Sequence, residues 1–236
     1  MFQVDRVAAG VIQASRSSKA MDSSAGGDGF PMFTVPLPKL LEMRAVRRHE
    51  ELLESGEVCE FQAGMGRAMF ISHQWLGLTH PDPDGQQLQV LKNALVNLMS
   101  GQTVVCVPPG VEIVVGRQTC PSTSDFHAQP LYIWYDYFSC PQGHGAQASK
   151  FRQLAINSIP SYVERSFFVV ILCPTVACTQ GGTLGYSSWR SRGWCRPLSG
   201  HLTSIKATSE AWKWHRANSA VSTATPSFYA PPLSRP

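Results

Sequence analysis

Paired cysteines, long apolar stretches and a charge of one sign are all missing from this 236-residue chain. The seven cysteines, at positions 59, 106, 120, 140, 173, 178 and 195, are odd in number and scattered, and none forms a C-x-x-C pair. That argues against a secreted disulfide framework and for a reducing compartment. The basic-then-apolar pattern of a secretory leader is lacking at the N-terminus. Asp5, Asp22 and Asp28, among Arg6, Arg16 and Lys19, also spoil a transit peptide. The longest apolar run, Ser166 to Cys178, contains Pro174 and is too short to span a bilayer. A soluble, cytoplasmic protein without a membrane span is expected.

Strong basicity is missing too. The net charge is +4, and Lys206, Lys213, Arg216 and Arg235 stand against Glu210 alone in the last 38 residues. The rest holds 16 basic and 15 acidic residues, so no broad face for nucleic acid is implied. There are no internal repeats. Gly64 and Gly66 come before a strand pattern instead of after one, which excludes a dinucleotide-binding fingerprint.

What is present is 43% hydrophobic residues, enough for one core of ordinary size. Residues 1–37 read as a disordered N-terminal segment, because Ser, Gly and Ala over 13–30 bury too little to offset ordering entropy. Residues 38–65 read as a helix and linker, the helix running over about 38–55 with Leu41, Val46, Leu52 and Leu53 near one face. Three apolar runs follow, at 68–72, 131–136 and 167–173, each as expected of a strand buried on both faces. A helix over about 86–100 carries Leu88, Leu91, Leu95 and Leu98 on one stripe, with Gly101 as its stop. A second helix, about 147–159, turns Phe151, Leu154, Ala155 and Ile159 inward and ends or kinks at Pro160. Strands and helices alternating at this spacing predict an α/β domain over 66–198 with a parallel sheet. Thr103–Val107 and Val111–Val115 read as an added β-hairpin around Pro108-Pro109-Gly110. The tail, 199–236, is rich in Ser, Thr, Ala and Pro and reads as low-complexity, disordered chain.

Three blocks, in this order, carry a resemblance. The first is Phe70-Ile71-Ser72-His73-Gln74-Trp75. The second runs from Leu131 through Trp134-Tyr135-Asp136 to Cys140-Pro141-Gln142, and the third joins Phe167–Cys173 to Trp189 and Arg192-Gly193-Trp194-Cys195-Arg196. Together they resemble the TIR and heterokaryon-incompatibility (HET) group of signalling domains. The resemblance implies a flavodoxin-like parallel sheet with helices on both faces, and ligands or partners at the carboxyl ends of its strands. Several TIR domains hydrolyse NAD with a glutamate four residues after the tryptophan of the third block. Here that position is Leu198, preceded by Pro197. The family's fourth and fifth strands are not visible after 198 either, so the domain is expected to be incomplete.

Ser72, His73, Trp75, Asp136, Arg192 and Trp194 are the candidates for a ligand or partner pocket. The first four follow or close strands, where an open α/β sheet gathers its crevice. Asp136 suits a ribose hydroxyl, or equally backbone N–H groups at its own strand end. His73 and Trp75 suit a site lining, or equally a strand cap and packing under a long loop. Arg190, Arg192 and Arg196 beside Trp189 and Trp194 suit a phosphate or an acidic partner, or a solvated face. Cys140 and His144, with His80 and His127 elsewhere, lack a second close pair to complete a zinc site, and no pattern marks a Cys–His nucleophile. No metal is expected and no catalytic residue is assigned. The expected function is an intracellular signalling module acting by association with its own kind or with related TIR/HET-like domains, catalytically inactive because of Leu198. The alternative is an NAD-hydrolysing enzyme using a strand-end pocket, with NAD as ligand or substrate.

Overall fold

The computed structural model describes residues 9–13, 29–106, 120–185, 188 and 210–216, with backbone alone at 9–13, 106 and 210–216. Three strands form the middle of its main sheet: β4 (Arg67–His73), β6 (Leu131–Tyr135) and β7 (Phe168–Leu172). They are parallel, with β4 in the centre, and its Ile71 lies opposite Tyr135 on one side and Val170 on the other. Every interior residue of β4 is buried. Alternation along the strand divides them between two layers. Met69 and Ile71 join Ile133, Tyr135, Phe168 and Val170 in one apolar cluster, covered by Leu88, Leu91, Leu95 and Leu98 of α3 (Gln86–Met99) and by Phe126 of α4 (Thr123–His127). Ala68 and Phe70 join Trp134 and Val169 in the other, covered by Ala155 of α6 (Ala146–Asn157) and by Ile159, Tyr162 and Val163 of α7 (Ile159–Arg165). Helices therefore cover both faces of a mixed α/β sheet. Each fully buried large side chain contributes roughly 1.5–3 kcal/mol to holding these layers together. Trp134 lies flat on Phe70, ring centres 4.3 Å apart.

Outside that centre the sheet is antiparallel. The order is β3-β2-β6-β4-β7-β1-β10-β5, where β1 is Ala9–Gln13, β2 Phe33–Pro36, β3 Cys59–Glu60, β5 Thr103–Cys106 and β10 Glu210–Arg216. A separate two-stranded hairpin, β8 (Val176–Ala177) and β9 (Thr183–Leu184), follows β7.

Several expectations are corrected here. Phe33–Pro36 is a strand paired with β6, and Met32, Val35, Leu40, Leu52 and Val58 are buried in the core. The domain therefore takes in the stretch from Met32 to Val58 as well as 66 onward. The single helix over 38–55 is two: α1 (Leu37–Glu42) and α2 (His49–Glu54). Met43 turns extended at the break, and Met43 and Val46 both reach the core there. The break also resets the helical phase, so Leu52 is buried and Leu53 exposed. Pro160 opens α7 in its first turn, where a missing N–H costs nothing. Phe151 is 39% exposed, not inward. The first arm of the expected hairpin is β5, but it pairs with β10, and the second arm lies outside the described residues. Within the expected tail, 210–216 is a strand, as is 9–13 at the other end; the remainder of both segments lies outside the described residues.

Candidate functional site

Parallel pairing brings the carboxyl ends of β4, β6 and β7 to one rim. His73 ends β4, Trp75 lies two residues on, and Asp136 opens α5 (Asp136–Ser139) directly after β6. The three meet. His73 Nε2 lies 2.7 Å from Asp136 Oδ1, and Trp75 Nε1–H donates to Asp136 Oδ2 at 2.8 Å. His73 Nδ1 lies 3.1 Å from the main-chain oxygen of Gln74. The imidazole is also stacked on Tyr135, ring centres 3.7 Å apart and nearly coplanar. Its side chain is 2% exposed and that of Asp136 26%. Burial pushes the Asp136 carboxyl up. The His73 charge, the hydrogen bonds from His73 and Trp75, and the N–H of Tyr137 outweigh that and hold it below its ordinary value. The Tyr135 phenol is pushed well up, by burial first and by the charges of Asp136 and Asp82 after it, and its hydroxyl has no hydrogen-bond partner.

The loop leaving β4 is fastened on both sides. Gln74 donates from Nε2 to the oxygen of Gly185 at 2.8 Å, and its Oε1 accepts from the Ser188 hydroxyl at 3.0 Å. Gln87, in the first turn of α3, donates to the oxygens of Gln74 and Pro81 at 2.7 and 3.0 Å. The Leu76 oxygen accepts from the N–H and the hydroxyl of Thr179 in the turn between β8 and β9. Asp82 is fully buried and caps α3, accepting the N–H groups of Gln87 at 3.0 Å and Leu88 at 2.8 Å. Beyond α5, Glu50 Oε1 accepts the N–H groups of Gln142 and Gly143 at 2.8 and 2.7 Å. Burial raises the Glu50 carboxyl, and the backbone N–H groups of Glu50 itself, Gly143 and Gln142, with His49 nearby, more than reverse it, to a net lowering. Arg152 holds the same turn through the oxygens of Pro141 and Gly143.

Of the residues expected from sequence, His73, Trp75 and Asp136 come together. Ser72 does not join them, since alternation on β4 puts it on the opposite face of the sheet, with Ala68 and Phe70. Arg190, Arg192, Trp194, Arg196 and Leu198 lie outside the described residues. Among the described residues no three His, Cys, Asp or Glu side chains are grouped to hold a metal ion, and no helix is long and apolar enough to cross a membrane. Cys140 is buried in the second cluster, and burial pushes its thiol far up, which opposes a thiolate nucleophile. Gln74, Gln87 and Asp82 were missed by sequence reasoning. Only Asp82 carried a signal, as an aspartate shortly before a helix.

Fold and rim together define an α/β domain with a mixed sheet and a tied polar cluster at one strand-end edge. Set against known proteins, the chain matches no protein-family model, no curated protein and no solved structure.

Proposed function

We propose that this is a TIR/HET-like signalling module that works by domain–domain association and does not catalyse. The observation that carries the reading is the strand-end rim, where two side chains from the exit of β4 close on the carboxylate at the exit of β6. The first of the three parallel strands lies between the second and the third, an order that supports a flavodoxin-like reading. Both carboxylate oxygens of Asp136 already hold a side-chain donor. A ribose hydroxyl would compete with His73 or Trp75 for the best-placed lone pairs, and this favours a structural rim over an NAD-cleaving one. The partner class is a second copy or a related TIR/HET-like domain.

Light scattering of the purified chain across a concentration series tests this. Reversible self-association, or a mixed complex with a related domain, is the expected outcome. A strict monomer that joins neither overturns it. Release of nicotinamide from NAD at high protein concentration would replace it with the hydrolase reading.

A further inference from the structure

Each ring nitrogen of His73 faces an oxygen that can only accept: Asp136 Oδ1 at 2.7 Å from Nε2, and the Gln74 carbonyl at 3.1 Å from Nδ1. A neutral imidazole has one N–H and can satisfy one of them; the imidazolium satisfies both. The ring is packed flat against Tyr135 and its side chain is 2% exposed, so solvent does not readily replace a lost contact. The Gln74 carbonyl is a junction. It also accepts from Gln87 Nε2 at the start of α3, and the next residue, Trp75, is the second donor to Asp136.

We propose that His73 is a proton-operated latch on this rim. As imidazolium it ties the Gln74–Trp75 peptide to Asp136, and loss of one proton to solvent releases that peptide. Nε2–H stays with the carboxylate, the stronger acceptor, so the proton leaves Nδ1 and its lone pair then confronts the Gln74 oxygen. The peptide turns away, and the indole of Trp75 leaves Asp136 Oδ2 with it. The carboxylate is thereby opened to a donor from outside. Asp136 from α5 and the Tyr135 phenol from β6 are the ionisable groups facing the imidazole. The charge of Asp82, ahead of α3, also acts on that phenol. Among the described residues no other cation is paired with Asp136. Gln74 remains fastened through its side chain to Gly185 and Ser188, so the movement is local.

Nitrogen-detected NMR of the whole chain across a pH series tests the latch without reference to association. The expected result is that the Trp75 indole N–H resonance, assigned with Trp75→Phe, shifts with the same inflection as the His73 ring nitrogens. Nδ1 should be the nitrogen that loses its proton. In His73→Gln, which offers a side-chain donor but no titration, the indole inflection should vanish. If that variant does not fold, the wild-type ring nitrogens decide alone. A His73 ring that stays doubly protonated until global unfolding overturns the latch. So does loss of the proton from Nε2, or an indole shift that persists in His73→Gln. Light scattering at each pH reads association separately, so either idea can fail while the other stands.

Discussion

Two histidine–aspartate neighbourhoods lie within a few residues of each other on the loop that leaves the central strand, and they are built in opposite ways. His80 takes a main-chain N–H from Asp82 on Nδ1 and gives its Nε2–H to the Val46 oxygen, a donor and an acceptor that a single tautomer satisfies. Asp82 spends both oxygens on the backbone of α3. His73 instead has an acceptor on each nitrogen, and Asp136 takes two side chains from another strand's exit. The first arrangement fixes a helix start, and no proton needs to move. The second is a charged pair joining two segments of distant sequence, and its strength depends on a proton. What separates them is not residue type but whether the partners are donors or acceptors.

The largest effect expected from breaking that contrast is at the structural member. Asp82→Ala leaves two buried N–H groups of α3 without a partner, each formerly bonded to a carboxylate. A loss of about 3 kcal/mol follows, read as a lower denaturant midpoint with an unchanged slope. A midpoint within error of the wild type would mean that Asp82 does not cap the helix.

Asp136→Asn comes next, at about 2 kcal/mol near neutral pH, because the His73 charge loses its counter-ion while one oxygen and the shape remain. Here the pH dependence carries the sign. Asp136 has its pKa lowered on folding, so its contribution is complete above the unfolded value of about 3.9. It is lost as pH falls through the depressed folded value. The stability curves of wild type and Asp136→Asn should therefore converge in acid and separate as pH rises. Parallel curves would show that the carboxylate is not held by charge. Trp75→Phe removes only the indole donor and should cost roughly 1–2 kcal/mol, less than Asp136→Asn at the same pH. An equal or larger loss would assign the indole, not the imidazolium, as the main partner.

How much of this could be read beforehand follows the same division between local and distant partners. The three central strands are legible because burial on both faces writes each as an unbroken apolar run, as in Phe168–Leu172. β2 is four residues long, sits among Pro31, Pro36 and Pro38, and takes its place only by pairing with β6, so no local pattern announces it. The strand at 210–216 mixes Trp212 and Trp214 with charged residues, shows no apolar run, and is defined by its neighbours in the sheet. His73, Trp75 and Asp136 were findable from position alone, since each stands at a strand exit. Ser72 could have been set aside by the period of two, which turns it away from His73. Gln74 and Gln87 were not findable: a glutamine carries no spacing rule, and the oxygens they meet belong to Gly185, Gln74 and Pro81.

The smallest expected effect sharpens the comparison most. His80→Gln replaces a ring that gives one N–H and takes one with an amide that also gives and takes, so the Val46 oxygen and the Asp82 N–H both keep a possible partner. The edge-on contact with Tyr137, ring centres 4.7 Å apart, is lost. A cost of about 1 kcal/mol is expected, read as a slightly lower melting temperature; an unchanged one would mean that the ring's contacts contribute nothing. The matching change at the other neighbourhood, His73→Gln, should alter the acid limb of the stability–pH curve, since it removes the partner that lowers Asp136. Thermal melts of the two variants over one pH series read both at once. If His73→Gln leaves the acid limb of the curve as it is in the wild type, Asp136 is not held by His73, and the rim is fixed by packing instead of by a proton.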